Sequence, residues 1–245
     1  MPVYTLMKPH LFLLLLFTCS CLAQQKRKAI KPNHSPKMVN HIPNSTLPDV
    51  EIVETFTDSI NVGEKGRNSI RIIKYRVFDD TYLIIKFYIK QAGQWLLQNT
   101  YQYETNASMG LQPDIRDFNN DQLNDITIIA ATAARGANEV RRLFIYDAQA
   151  KQLVSIVNAE DYPNMRYNPE LDCIDAFLVH GGSSTIFAKI KGDSLKTFAS
   201  VHNDLYRTVY KIDADGNEQL IRKDTIITPD DIYIRYKNFD PLREY

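Results

Sequence analysis

The chain has 245 residues, 44% of them hydrophobic, and its 29 basic and 29 acidic side chains give a formal net charge of zero. Six of the 29 basic residues (Lys8, Lys26, Arg27, Lys28, Lys31, Lys37) and one of the 29 acidic residues (Asp49) precede residue 50, which leaves 23 against 28 and a net charge of −5 over residues 50–245. That balance excludes binding to a phosphate backbone, which needs clustered Lys and Arg, and suits a basic partner.

Residues 1–23 read as a secretory signal peptide. The apolar core Leu11–Phe17 follows Lys8, is too short to span a bilayer, and ends before the small residue Ala23. Met7 is an alternative start. The expected location is periplasmic or secreted, with lipid attachment at Cys19 or Cys21 as the outer-membrane alternative. Cleavage after Ala23 leaves Cys173 as the one remaining cysteine, so no internal disulfide forms. It lies in an apolar run and reads as an inert small hydrophobe. Residues 24–49 are basic and carry Pro32, Pro36, Pro43 and Pro48. Their few apolar side chains cannot offset ordering entropy, which predicts a disordered tether.

From Val50 onward the pattern is strand after strand. Val50–Thr57, Ser69–Phe78, Thr81–Lys90 and Gln94–Thr105 form a first group, broken at Asp79-Asp80 and Ala92-Gly93 where hairpin turns fit. Within Thr81–Lys90, Leu83, Ile85, Phe87 and Ile89 alternate with the other face. A second group follows: Asp125–Ala133, Glu139–Asp147, Gln152–Val157, Leu171–His180, Ser183–Lys191, Ser194–His202, Tyr206–Asp213 and Glu218–Ile227. Only Ala159–Asn168 suggests a helical turn. Many short strands without helical periodicity predict an all-β domain over 50–245, an antiparallel β-sandwich or open barrel. A propeller would repeat its motif per blade, and there is one copy.

Between the two groups lies Asp117-Phe-Asn119-Asn-Asp121-Gln-Leu123-Asn-Asp125. Side-chain oxygens at positions 1, 3, 5 and 9 suit a hard cation. Asp117, Asn119, Asp121 and Asp125 can face one centre, with Leu123 offering its carbonyl. Calcium takes six to eight oxygen ligands in flexible geometry. An EF-hand is excluded, because position 6 is Gln122, position 12 is Ile128, and strand rather than helix follows. The competing reading is an Asn/Asp-rich turn.

This loop, followed by Arg135-Gly-Ala-Asn138, Arg142-Leu-Phe-Ile-Tyr-Asp147, Tyr162-Pro-Asn and Tyr167-Asn-Pro169, resembles a family of single-copy bacterial envelope proteins with an FG-GAP/VCBS-like calcium loop. The resemblance covers about residues 110–203. It implies a calcium-stabilised β-domain similar to the periplasmic lysozyme inhibitors, some relatives being immunity proteins against peptidoglycan hydrolases. Gln122 departs from the expected glycine.

No catalytic motif accompanies it. His10, His34 and His41 precede the domain, and His180 and His202 lack metal-ligand spacing, so both read as structural. Asp213-Ala-Asp215-Gly-Asn217 reads as a hairpin turn, and the single Trp95 as a strand residue packed on its neighbours. Two small-residue segments are candidate partner-binding loops: Gly181-Gly182-Ser183-Ser184-Thr185, and Arg135-Gly-Ala-Asn138. The expected function is that of an exported, calcium-stabilised binding protein, not an enzyme, which occludes a cell-wall hydrolase. A glycan-binding or carbohydrate-active module is the alternative. No nucleic-acid partner and no transmembrane segment after signal removal are expected.

Overall fold

Strand propensity and turn residues alternate along the whole domain, and the chain folds accordingly into consecutive antiparallel meanders. The structure is a computed structural model that describes residues 50–226 and 228–245; the signal and tether expectations fall outside the described residues. The first sheet has the order β1(Val50–Asp58), β2(Asn68–Val77), β3(Asp80–Gln91), β4(Gln94–Glu104). The second holds β5(Asp114–Arg116), β6(Asp125–Ala133), β7(Asn138–Asp147) and β8(Gln152–Ser155). The third runs from β9(Arg166–Asn168) through β10(Cys173–Val179), β11(Ser183–Lys191), β12(Ser194–Asn203) and β13(Tyr206–Ile212) to β14(Glu218–Thr225). A two-stranded ribbon, β15(Tyr236–Phe239) and β16(Leu242–Glu244), completes the fold.

Three apolar cores separate these layers. Ile70, Ile72, Leu83, Ile85 and Phe87 of the first sheet pack on Ile126, Ile128, Phe144 and Tyr146 of the second. Leu143 and Ile145, on the opposite face of β7, pack on Ile174, Ala176 and Ala188 of the third sheet. Phe187, Ala199 and Val201 then meet Tyr236, Phe239 and Leu242 of the ribbon. The second sheet is thus covered on both faces, which is why β6 and β7 read as continuous apolar runs and β3 alternates. The fold is an all-β sandwich of stacked layers. Among the described residues no sheet closes on itself into a barrel, and of the two expected architectures the layered packing is that of the sandwich.

Polar pairs fix the layers at their edges. Asn99 Nδ2 and the Tyr101 hydroxyl both donate to the Leu153 carbonyl, at 2.8 and 2.6 Å. Buried Asp175 accepts from Arg235 Nε at 2.7 Å and lies 3.4 Å from Arg166 Nε, which ties the segment leading into the ribbon to the third sheet. Cys173 is buried, and burial pushes its thiol up to about 12, as an inert core cysteine requires.

Three features differ from the sequence expectation. The Ala159–Asn168 stretch holds only a short 3-10 turn, Ala159–Asp161, and then β9. Strand β5 and the ribbon strands lack an apolar period of useful length and are held by their partners. Trp95 is not packed: it is half-exposed on edge strand β4, with Lys90 Nζ 5.5 Å from the ring centre.

Candidate metal centre and hairpin ends

The ion loop enters from β5 and leaves into β6, and its last residue is the best-defined part. Asp125 is fully buried. Its Oδ2 accepts from the Phe118 amide and its Oδ1 from the Tyr146 amide, both at 2.8 Å. Burial raises its carboxyl to about 7; the two amide bonds oppose the shift, and the nearby charges of Asp121 and Asp117 add to it. Asp117 accepts amides from Asn119 at 3.1 Å, Asn120 at 2.5 Å and Gln122 at 2.8 Å. Asp121 accepts from Asn119 Nδ2 at 2.9 Å and from the Leu123 amide at 2.8 Å, and the Asn119 Oδ1 accepts the Asp121 amide at 3.2 Å. The chain can turn this tightly because Asn120 and Gln122 both take left-handed φ, at 64° and 69°.

Among the described residues no three His, Cys, Asp or Glu side chains converge closely enough to hold a metal ion. Asp117, Asp121 and Asp125 are instead turned onto backbone amides. The same amide-on-carboxylate turn recurs at Asp58, Asp147 and Asp213, so it does not by itself identify a cation. The donor chemistry nevertheless fits calcium. A carboxylate offers about four acceptor sites, and these bonds use three on Asp117, two on Asp121 and two on Asp125. The lone pairs left on all three, with Asn119 Oδ1 and the Leu123 carbonyl, are the oxygen-only donor types that calcium takes, although they are not gathered around one centre here.

The loop also joins layers. Gly63 N–H donates to the Asn124 carbonyl at 2.8 Å, and Asn124 Nδ2 donates to the Asn61 carbonyl at 3.0 Å, which pins it to the β1–β2 connection. Asn120 Nδ2 reaches Asp172, before β10, at 3.5 Å.

At the opposite end of the stack lie the two predicted partner loops, and they differ. The Gly181–Thr185 segment does not project. Ser183, Ser184 and Thr185 are buried strand residues of β11. The Ser183 hydroxyl donates to the Ile232 carbonyl at 2.6 Å, and Thr185 Oγ1 accepts the Tyr236 amide at 3.1 Å. Gly182 is packed so closely that a Cβ there would sit 2.0 Å from the Asn203 carbonyl oxygen; only Gly181 stays exposed. The expectation of a small-residue loop free to enter a cleft is therefore corrected for Gly182, Ser183 and Ser184: the small residues are there because β12 and the C-terminal segment press on them. Asn138 is likewise occupied, exchanging two bonds with the Val179 backbone at 2.9 and 2.8 Å. Arg135, in contrast, is exposed. Residues 132–137 are all exposed, and Ala134, Arg135 and Gly136 take φ of 48°, 57° and 93° in succession.

The two domain histidines, 22 residues apart in the chain, are joined by strand register. Gly182 N–H donates to His180 Nδ1 at 3.1 Å, His180 Nε2 lies 2.9 Å from Ser184 Oγ, Ser184 Oγ lies 2.8 Å from His202 Nδ1, and His202 Nε2 lies 2.8 Å from Ser200 Oγ. One direction of donation satisfies the chain of contacts: each imidazole donates from Nε2, and the Ser184 hydroxyl donates to His202 Nδ1. Asp204 Oδ1 stands 3.4 Å from His180 Nδ1. The composition is that of a Ser–His–Asp set, but Ser184 is only 5% exposed and the Gly182 amide is already engaged. The chain of bonds staples the β10–β11 hairpin to β12.

No family model matches the chain, and no curated protein matches it. A solved structure described as that of a Xanthomonas type IV secretion system related protein is similar over 69% of this chain and 93% of its own, with 10% identity and a TM-score of 0.41. A likeness of that degree bears on neither chemistry nor partners. Among the described residues no helix is long and apolar enough to cross a membrane.

Proposed function

We propose that this chain is an exported, calcium-stabilised binding protein whose β6–β7 hairpin enters and blocks the cleft of a peptidoglycan hydrolase. One observation carries the reading. The hairpin end at residues 132–137 is wholly exposed, has small side chains except for Arg135, and stands on strands buried between two sheets. A narrow tip on a rigid base suits steric occlusion, because little ordering entropy is lost on binding. Arg135 supplies a charge for the carboxylates that a glycosidase uses. The calcium loop, at the far end of the same hairpin strands, holds that base in place.

The test is titration of the purified protein, with millimolar calcium, into a panel of lysozyme-type muramidases. Saturable inhibition is expected, weakened roughly tenfold by Arg135→Ala, as for a contact residue worth about 1–2 kcal/mol. Absence of both inhibition and binding across the panel at micromolar concentration would sink the hydrolase reading.

A glycan-binding reading draws on a different observation. An open cavity of about 640 Å³ is lined by Tyr162, Phe198, Lys189, Lys191, Lys196 and Asp213. Hydrogen bonds from Asn217 and Asp215 hold the Asp213 carboxyl below its usual range, which unsuits it as a general acid and leaves binding of an anionic sugar as the fitting chemistry. Glycan-array binding lost on Lys196→Glu would favour it.

A further inference from the structure

The first sheet ends, away from the ion loop, in a corner that nothing in the fold accounts for. The β2–β3 hairpin turns through Phe78 and Asp79. Phe78 is 76% exposed and has a φ of 55°. A two-residue hairpin with positive φ at its first central position calls for glycine, and a bulky residue there is an outlier. The ring belongs to none of the three cores. Beside it, Val50 lies across from Val77 and Ile52 across from Tyr75, 58% and 64% exposed. Tyr75 and Tyr82 stack with ring centres 5.6 Å apart.

Carboxylates outnumber cations around this apolar corner. Glu51, Asp79, Asp80 and Glu104 are exposed at or near the strand ends; of the guanidiniums beside them, Arg76 is paired with Glu51 at 3.1 Å and Arg142 donates to the Glu104 carbonyl at 3.4 Å. The Tyr82 hydroxyl lies 3.5 Å from Asp80 Oδ2, and Tyr82 sits directly opposite Glu104. The charges of Asp80 and Glu104 both push the Tyr82 phenol up, Asp80 the more strongly.

We propose that this corner is a protein-docking surface with Phe78 as its anchor, and that its partner is a protein presenting an apolar pocket ringed by Lys or Arg. An exposed apolar patch with a polar rim marks an interaction site. Aromatic anchors in desolvated pockets dominate such interfaces. A rim of carboxylates selects a cationic complement and speeds its approach. The left-handed backbone lifts the ring clear of the sheet, and its strain persists because the flanking strands over-determine the turn. This inference does not depend on the partner being a hydrolase, and it concerns a different hairpin from the one proposed to enter a cleft.

The experiment places a photo-crosslinking phenylalanine analogue at position 78 of the full chain, expressed in its own host, with Lys151 at the opposite end of the fold as the control position. A light-dependent adduct is expected at 78 and not at 151. It should hold a protein of net positive charge, and it should vanish when Asp79→Lys and Asp80→Lys are added. The captured protein, purified, should bind Phe78→Gly at least tenfold more weakly than the parent, while the melting temperature of Phe78→Gly stays equal or rises. Any of four results overturns the proposal: no position-specific adduct, an adduct to residues 24–49 of the same chain or to lipid, capture of an acidic protein, or unchanged affinity for Phe78→Gly. A lower melting temperature for Phe78→Gly would do so as well, because it would make the ring a packing residue. Muramidase inhibition is measured separately, so either reading can fail alone.

Discussion

Gln122 holds a left-handed backbone, φ 69°, at the loop position where calcium loops commonly carry glycine. A non-glycine residue there costs on the order of 1 kcal/mol. Gln122→Gly is therefore expected to stabilise the fold by about that energy, read as a higher denaturant midpoint, with and without calcium. Asp125 and Asp121 separate scaffold from ion. Asp125→Ala orphans the buried amides of Phe118 and Tyr146, each worth roughly 1–3 kcal/mol. It should destabilise strongly in chelator as well as in calcium. Asp121 is exposed and ties only loop atoms, so Asp121→Ala should lower the melting temperature when calcium is present and leave it nearly unchanged in chelator. Parallel melting curves for the two variants decide it; equal calcium sensitivity in Asp121→Ala and the parent would remove Asp121 from the ligand set.

At the scale of the hairpin, Gly181 and Gly182 look alike in sequence and are opposites in the fold. Gly181→Ala meets open space and should be neutral, whereas Gly182→Ala drives a methyl group into the Asn203 carbonyl and should split the β10–β11 end from β12. Urea midpoints of the two variants measure the contrast. The staple beneath them carries a pH dependence. Burial holds the His202 imidazole below its ordinary value of 6.5, against the charges of Glu218 and Asp204. Protonation then favours the unfolded chain, so the stabilisation is full above about pH 6.5 and is lost as pH falls through the depressed folded value. His202→Gln should flatten that slope. Such contrasts mark where sequence reading stops. Alternation in Thr81–Lys90 and the Gly and Asp turn residues placed most strands within a residue or two, since local pattern governs them. That Asp117–Asp125 turns tightly is legible for the same reason, since Asp and Asn cap their own backbone. Whether Ser183 projects or is pressed by Ile232 and Asn203 depends on residues 20 or more positions away, and nothing local to the segment encodes it. The His180–Ser184–His202 chain escaped notice because strand register, Ser184 opposite His202, brings it together.

For the whole molecule, the ion loop touches the first sheet's β1–β2 connection, the second sheet and the turn before β10. Binding calcium there should shift the unfolding of all layers together. Extracellular calcium sites bind in the range of about 10⁻⁴–10⁻³ M, and a ligand at ~100 times its dissociation constant adds roughly 2.7 kcal/mol. Calorimetry should show one transition moving upward in calcium; identical curves in calcium and chelator would remove the claim. The meander order has a consequence in time as well as in space. Every sheet is built from consecutive strands, so a chain delivered N-terminus first can complete each layer before the next arrives. The second sheet is the vulnerable stage. Until β10 and β11 appear, Leu143 and Ile145 lie bare, and a product truncated near Val157 would carry an uncovered apolar face between two free edges, prone to aggregate rather than to wait.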